Sequence, residues 1–325
     1  MRLHRILARL AAGLLLALPL PAAWAQAPRA DCPPTAPTAL PDPARQAAAA
    51  TDRGLLWRLD KDGRTSWLYG TVHVNRLDWA LPGPTVRQAL RDVDVVALEL
   101  DPSDPEIPRR MLAPVDASRR QRVLAGDAGE QLAALWQGAC LPRESLLANA
   151  APLLQVMTVA LQQMRRDGFH PELAADVMLW AVARRLGKPV VALETVAAQM
   201  EAITIADEAE ERDLVRQSIE ELRNGDGREV LLRLLRAWEQ GDAADLAAYA
   251  SWCRCVDTPA EQAWMKRLND DRNVALAARL TELHGGTTFF AGVGALHMTG
   301  PNALPRLLAA RGFQVQRVSF TPQKP

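Results

Sequence analysis

Two apolar, strand-like runs far apart in the chain end in the same pattern. Trp67-Leu68-Tyr69-Gly70-Thr71-Val72-His73 and Phe289-Phe290-Ala291-Gly292-Val293-Gly294-Ala295-Leu296-His297 both close on Gly-x-x-His. Each leads into a proline-containing loop, a short stretch of helical periodicity and a second apolar run. After His73 these are a loop with Pro82 and Pro84, a helix over 85–91 with Val86 and Leu90 four apart, and a strand over 93–100. After His297 they are a loop with Pro301, a helix over 303–311 stopped by Gly312, and a strand over 314–320. A chain that twice repeats strand, loop, helix, strand must bury its strands in one sheet with helices against it. The expected fold is therefore α/β: a mixed sheet core built from two similar β-α-β halves, with a large helical insertion between them.

The first half is preceded by an apolar run over 55–59, joined to Trp67-Leu68-Tyr69 through Asp62-Gly63, which predicts a β-hairpin. Between the halves, 105–136, 148–166, 171–186 and 206–250 have helical periodicity. One apolar run, 188–195, follows the helix stop Gly187 and is expected to join the sheet. The expected single domain spans 51–320, with a core of 51–102, 187–196 and 260–320 and an insertion of 103–186 and 197–259. Ahead of it, Arg2, Arg5 and Arg9 precede a short apolar run and the small-x-small site Ala23-Trp24-Ala25. That reads as a signal peptide over 1–25 cleaved near Ala25, hence a periplasmic or secreted protein. The Pro- and Ala-rich stretch 26–50 reads as a linker.

Acidic and basic residues balance at 38 each, and loss of the leader arginines leaves the chain slightly acidic. Nothing in that balance points to nucleic acid or an anionic membrane, and no later run is apolar enough to span a bilayer. The cysteines after the leader are Cys32, Cys140, Cys253 and Cys255, an even set that suits disulfides in an exported protein. A bond within Cys253-Arg254-Cys255 would be strained, so one of these is expected to meet Cys140.

Active sites of open α/β sheets gather at the carboxyl ends of parallel strands. Glycine three residues before a histidine lets the backbone turn sharply or approach a bound group, so Gly70 and Gly294 could aim His73 and His297 into one crevice. Histidine is the commonest metal ligand and suits proton transfer near neutral pH. An anionic partner is available in Glu99, after Val95-Val96-Ala97-Leu98, and in Glu194, after Val190-Val191-Ala192-Leu193. Arg272 and Asn273 sit on the helix before the second motif, where an arginine could hold a carboxylate or a substrate carbonyl oxygen. His170 and His284 have structural explanations at a helix start and a helix end. The chain lacks a Gly-x-Ser-x-Gly elbow, a Gly-x-x-x-x-Gly-Lys loop and a His-Glu-x-x-His helix.

Trp67 to His73, Ala97-Leu98-Glu99-Leu100-Asp101, Gly187-Lys188-Pro189-Val190 with Leu193-Glu194-Thr195, Asp271-Arg272-Asn273, and Phe290 to His297 together resemble the TraB/GumN family, which includes the TIKI proteases. The likeness covers nearly all of 54–318, with the motifs in family order. It implies a metal-dependent hydrolase, and the TIKI likeness implies a peptidase supported by manganese or cobalt. On this reading His73 and His297 are metal ligands and Glu99 is a third ligand or a general base, with Arg272 and Asn273 in the catalytic set. The divalent ion could equally be zinc. Met298-Thr299-Gly300-Pro301 departs from the family pattern of a leucine and then Gly-Glu. A peptide or protein substrate is expected. Two other readings stand beside it: a metal-independent, esterase-like hydrolase with a histidine general base, and a haem- or ligand-binding protein.

Overall fold

The computed structural model describes residues 31–37 and 43–320 apart from 254. The expected signal peptide lies outside the described residues. Among the described residues no helix is long and apolar enough to cross a membrane.

The hairpin forms as expected. Strands β1 (Leu55–Lys61) and β2 (Arg64–Thr71) pair antiparallel, with Lys61 opposite Arg64. Asp62 and Gly63 fill the two-residue turn at φ of 50° and 71°. Such a turn needs positive φ at both positions and suits the twist of the flanking strands. Four further strands complete a six-stranded sheet: β3 (Val95–Leu98), β4 (Val190–Ala192), β5 (Phe289–Gly294) and β6 (Gln314–Val318). The order is β4-β3-β5-β2-β1-β6. β5 lies parallel between β3 and β2, β4 is parallel to β3, and β1 is antiparallel to both β2 and β6. So β4, β3, β5 and β2 all release their carboxyl ends along one edge.

Helices α1 (Pro84–Arg91), α2 (Pro152–Gln163), α3 (Ala175–Arg185), α4 (Val196–Ile203), α5 (Glu208–Asn224), α6 (Asp226–Glu239), α7 (Arg272–Gly286) and α8 (Leu304–Ala309) carry most of the packing. β2-α1-β3 and β5-α8-β6 each join parallel strands, and the two units cross the sheet in opposite directions from neighbouring starting strands. The sheet core is dominated by Leu55, Leu59, Leu68, Leu98, Phe289 and Phe290, packed with Leu179 of α3, Leu280 of α7 and Leu308 of α8. Each such side chain contributes roughly 1.5–3 kcal/mol on burial. A second apolar cluster gathers Val159 of α2 and Leu214, Val215 and Ile219 of α5 around Leu132 and Trp136.

Several expectations are corrected. The helical run 105–136 divides into Glu106–Met111, Ala117–Val123 and Ala128–Gly138, with Pro114 and Gly126 in the breaks. The run 206–250 breaks at Gly225 and Gly241, whose φ values of 90° and 64° end helices readily only at glycine. β3 and β4 are shorter than the apolar runs, so Glu99 and Glu194 lie just beyond them. The cysteines pair as Cys32–Cys140 and Cys253–Cys255, with Cα separations of 5.6 and 5.1 Å, instead of joining Cys140 to either member of the close pair. The stretch read as a linker is partly docked. Arg166 donates to the Asp31 carbonyl at 2.6 Å, residues Pro43–Ala49 form a helix, and Ala50 is buried.

Candidate active site

The two Gly-x-x-His segments meet. β2 and β5 are adjacent and parallel, and their register sets Thr71 beside Gly294, so the motifs run staggered by one residue. A Cβ on Gly70 would stand 3.2 Å from the Ala295 Cα, so the first motif's glycine abuts the backbone of the second. A Cβ on Gly294 would stand 3.3 Å from Glu99 Oε1 and 3.4 Å from His297 Cδ2. Glycine there lets a carboxylate and an imidazole close over the strand end.

At the centre lies a buried guanidinium. Residues Arg267–Asp271 form a turn of π-helix immediately before α7, and Arg272 is the first residue after it. Such wider turns cluster at functional sites because they redirect the side chains beyond them. Arg272 Nε donates to Glu194 Oε1 at 3.0 Å, and Nη2 reaches Glu99 Oε2 at 2.5 Å as well as Glu194 Oε2. Nη1 donates to the Leu268 carbonyl at 3.0 Å and faces His297 Nε2 at 3.3 Å. A guanidinium has five N–H groups, and all are directed at these partners. Burial alone would lower the Arg272 pKa, but Glu194 and Glu99 outweigh it and raise it.

Glu99 is fully engaged. Its Oε1 accepts the Gly294 backbone N–H at 2.7 Å, and its Oε2 accepts from Arg272 and from Gln199 of α4 at 3.0 Å. Burial opposes its charge, yet Arg272, the two histidines and the Gly294 N–H bring its pKa down to about 2. Glu194 shares the same guanidinium but moves the other way, because burial and its neighbour Glu99 outweigh Arg272 and raise its pKa. Two carboxylates on one cation do not ionise with equal ease.

Both imidazoles have Nδ1 turned toward an oxygen. His297, 4% exposed, sits in the 3-10 turn Ala295–Met298, with Nδ1 2.7 Å from Asn273 Oδ1. Asn273 is itself fixed, since its Nδ2 donates to the His297 and Asn302 carbonyls at 3.1 and 2.8 Å. The Asn273 oxygen can only accept, so His297 carries its proton on Nδ1 and offers a lone pair at Nε2. Burial, with help from Arg272 and His73, lowers the His297 pKa to about 4 against the pull of Glu99. His73 lies at the mouth, its side chain 49% exposed, with Nδ1 3.7 Å from Asp176 Oδ2. Protein crowding opposes its charge, but Asp176 and then Glu99 prevail and raise its pKa to about 9. Its Nε2 has no hydrogen-bond partner among the described residues.

All the expected site residues thus come together: His73, Glu99, Glu194, Arg272, Asn273 and His297, with Gly70 and Gly294 at the contacts between them. The expected metal arrangement does not follow from that gathering. Among the described residues no group of three or more His, Cys, Asp or Glu side chains is placed to hold a metal ion. Glu99 is spent on Arg272, Gln199 and Gly294, and His297 Nε2 faces the same guanidinium. A resident cation does not fit this donor set as it stands. Arg272 cannot simply be counted as an oxyanion donor either, because only its long contact to His297 is exchangeable.

Sequence reasoning missed Asp176 and Gln199. Asp176 sits in an apolar stretch, Ala174-Ala175-Asp176-Val177-Met178, and its burial shows only in the structure. Gln199 carries no signal. His284 is structural as expected: buried, it spans Ser66 Oγ at 2.8 Å and the Lys61 carbonyl at 3.0 Å. His170 is held by Arg165 and by backbone pairing with Asn75. A cavity of about 620 Å³ on the helical layer, bordered by Arg166, Arg223 and Arg228, lies apart from these residues.

No curated protein and no solved structure matches the chain. The sequence profile of the TraB/PrgY/gumN family matches residues 55–317, a span that holds every side chain of the crevice, and the chain belongs to that family.

Proposed function

We propose that this chain is an exported hydrolase that attacks a carbonyl carbon, in a peptide bond above all, with water activated beside His297. The observation that carries this reading is the meeting of two imidazoles from adjacent parallel strands, each with Nδ1 directed at an oxygen. A water that slips between His297 Nε2 and Arg272 Nη1, now 3.3 Å apart, would accept a hydrogen bond from Nη1 and pass one proton to Nε2 as its oxygen attacks the carbonyl carbon. His73 would serve as the acid that protonates the leaving group, since the two rings are driven to opposite sides of neutrality. Glu99, held low and fully hydrogen-bonded, would act as an electrostatic anchor instead of a base. Export is supported by the two disulfides. The peptide substrate rests on the likeness to the TIKI proteases.

The test is turnover of peptide and ester libraries by H73A and H297A. Each should lose roughly 10²- to 10⁴-fold in kcat, the usual worth of acid–base assistance. Turnover at the wild-type rate in both variants ends the proposal.

A metal-dependent peptidase is the second reading, favoured by one observation. Ligating histidines characteristically anchor one ring nitrogen on an oxygen and leave the other for the metal; both rings here turn Nδ1 toward an oxygen, and His73 leaves Nε2 without a partner among the described residues. It would require Glu99 to exchange Arg272 for the ion. Elemental analysis separates the two: stoichiometric manganese, cobalt or zinc, with activity lost on chelation and regained on return of the ion, selects the second reading. Full activity without bound metal selects the first.

A further inference from the structure

Asp176 has no structural employment that accounts for it. It is 8% exposed, lies in the first turn of α3, and makes no side-chain hydrogen bond to any backbone N–H. Its Oδ1 is buried without a partner, and its Oδ2 lies 3.7 Å from His73 Nδ1. A buried carboxylate is costly unless paired. The α3 amino terminus favours negative charge, but a helix end asks for a cap, and Asp176 provides none. The backbone holds the pair in place, because the Ala175 N–H donates to the Val72 carbonyl at 2.9 Å, tying the residue before Asp176 to the residue before His73.

We infer that Asp176 is the positioning residue for His73, holding Nδ1–H toward its own carboxylate so that Nε2 points at the reacting groups. The assignment rests on His73 taking part in the proposed hydrolysis, and it treats 3.7 Å as the open form of a pair that tightens around substrate.

The test uses the full chain with the substitutions D176N and D176E, alone and combined with H73N. D176N should lower kcat by roughly 10²- to 10⁴-fold, the range over which a wrongly held imidazole fails, with KM within about twofold. D176E should recover part of that loss. In the H73N background D176N should cost nothing further, because both act through one ring. Nitrogen NMR of the wild-type ring, recorded above the pH at which it loses its charge, should place the remaining proton on Nδ1, and D176N should release that preference. The inference is overturned if wild-type His73 carries that proton on Nε2, if D176N keeps kcat within about twofold, or if its loss persists in the H73N background. Should no substrate be turned over, the hydrolase reading fails, and the ring-nitrogen signals still decide whether Asp176 holds His73. Should D176N not fold, the wild-type signals and D176E decide it.

Discussion

Arg272 holds two carboxylates that cannot both stay buried and charged without it. Replacing it with alanine leaves Glu99 and Glu194 facing each other, so R272A should lose about 3–5 kcal/mol in urea denaturation. R272K should recover only part, because an ammonium cannot reproduce the fork. A loss under about 1 kcal/mol would mean that solvent already screens the trio. The histidines give a pH test with a definite sign. The neutral form of His297 is favoured in the fold, so it persists until pH falls through about 4. The charged form of His73 is favoured, so it persists until pH rises through about 9. For the acid–base pair proposed above, kcat/KM should be flat between those limits and fall outside them; a limb at the ordinary histidine value of 6.5 would contradict it. Gly294 makes a third test. The added methyl in G294A must push Glu99 Oε1 and His297 Cδ2 apart by a few tenths of an ångström, so activity should fall by 10-fold or more with only a small shift in Tm. The two motif histidines, Glu99 and Glu194 were legible because ionisable residues stood at the ends of apolar runs, and Arg272 because it lay on the helix before the second motif. Asp176 was not, since an acid in the first turn of a helix looks like an ordinary response to the helix dipole.

The strands were legible as elements but not as lengths. Alternation and glycine stops locate β2, β3 and β5, while where a strand ends depends on which neighbour still pairs with it. β3 is kept in register by a contact outside the ladder. Asp94 Oδ2 accepts the Thr288 N–H and hydroxyl at 2.9 and 2.7 Å and the Thr287 hydroxyl at 3.1 Å, clamping the entry of β5 to that of β3. These bonds hold the Asp94 carboxyl below its usual 3.8. Its contribution is therefore present above the unfolded value and drains away as pH falls through the folded one. D94A should cost about 1 kcal/mol near neutrality and less in acid, as read by parallel denaturation curves at the two pH values. An equal cost at both would point to packing instead. The π turn before α7 could not be foreseen, because Arg267 to Asp271 has the same helical composition as its flanks.

At the scale of the molecule, α/β class followed from the repeated strand–helix–strand text, whereas the cysteine pairing did not. Residues 31–37 seemed too poor in apolar groups to dock, and only the surface near Cys140 could have shown otherwise. Cys32–Cys140 spans 108 positions, and closing a loop of that order stabilises by at most about 4–5 kcal/mol. The variant C32S should therefore shift the denaturation midpoint downward by an amount worth about 2–4 kcal/mol while leaving turnover intact. Loss of turnover would connect that tether to the crevice. The sheet order has one further result. β2 and β5 lie side by side, yet the whole helical insertion is translated between them. A ribosome that stalls within that insertion releases a nascent chain with one of the two motif imidazoles and no neighbour for it, so on the proposed mechanism unfinished copies are chemically silent.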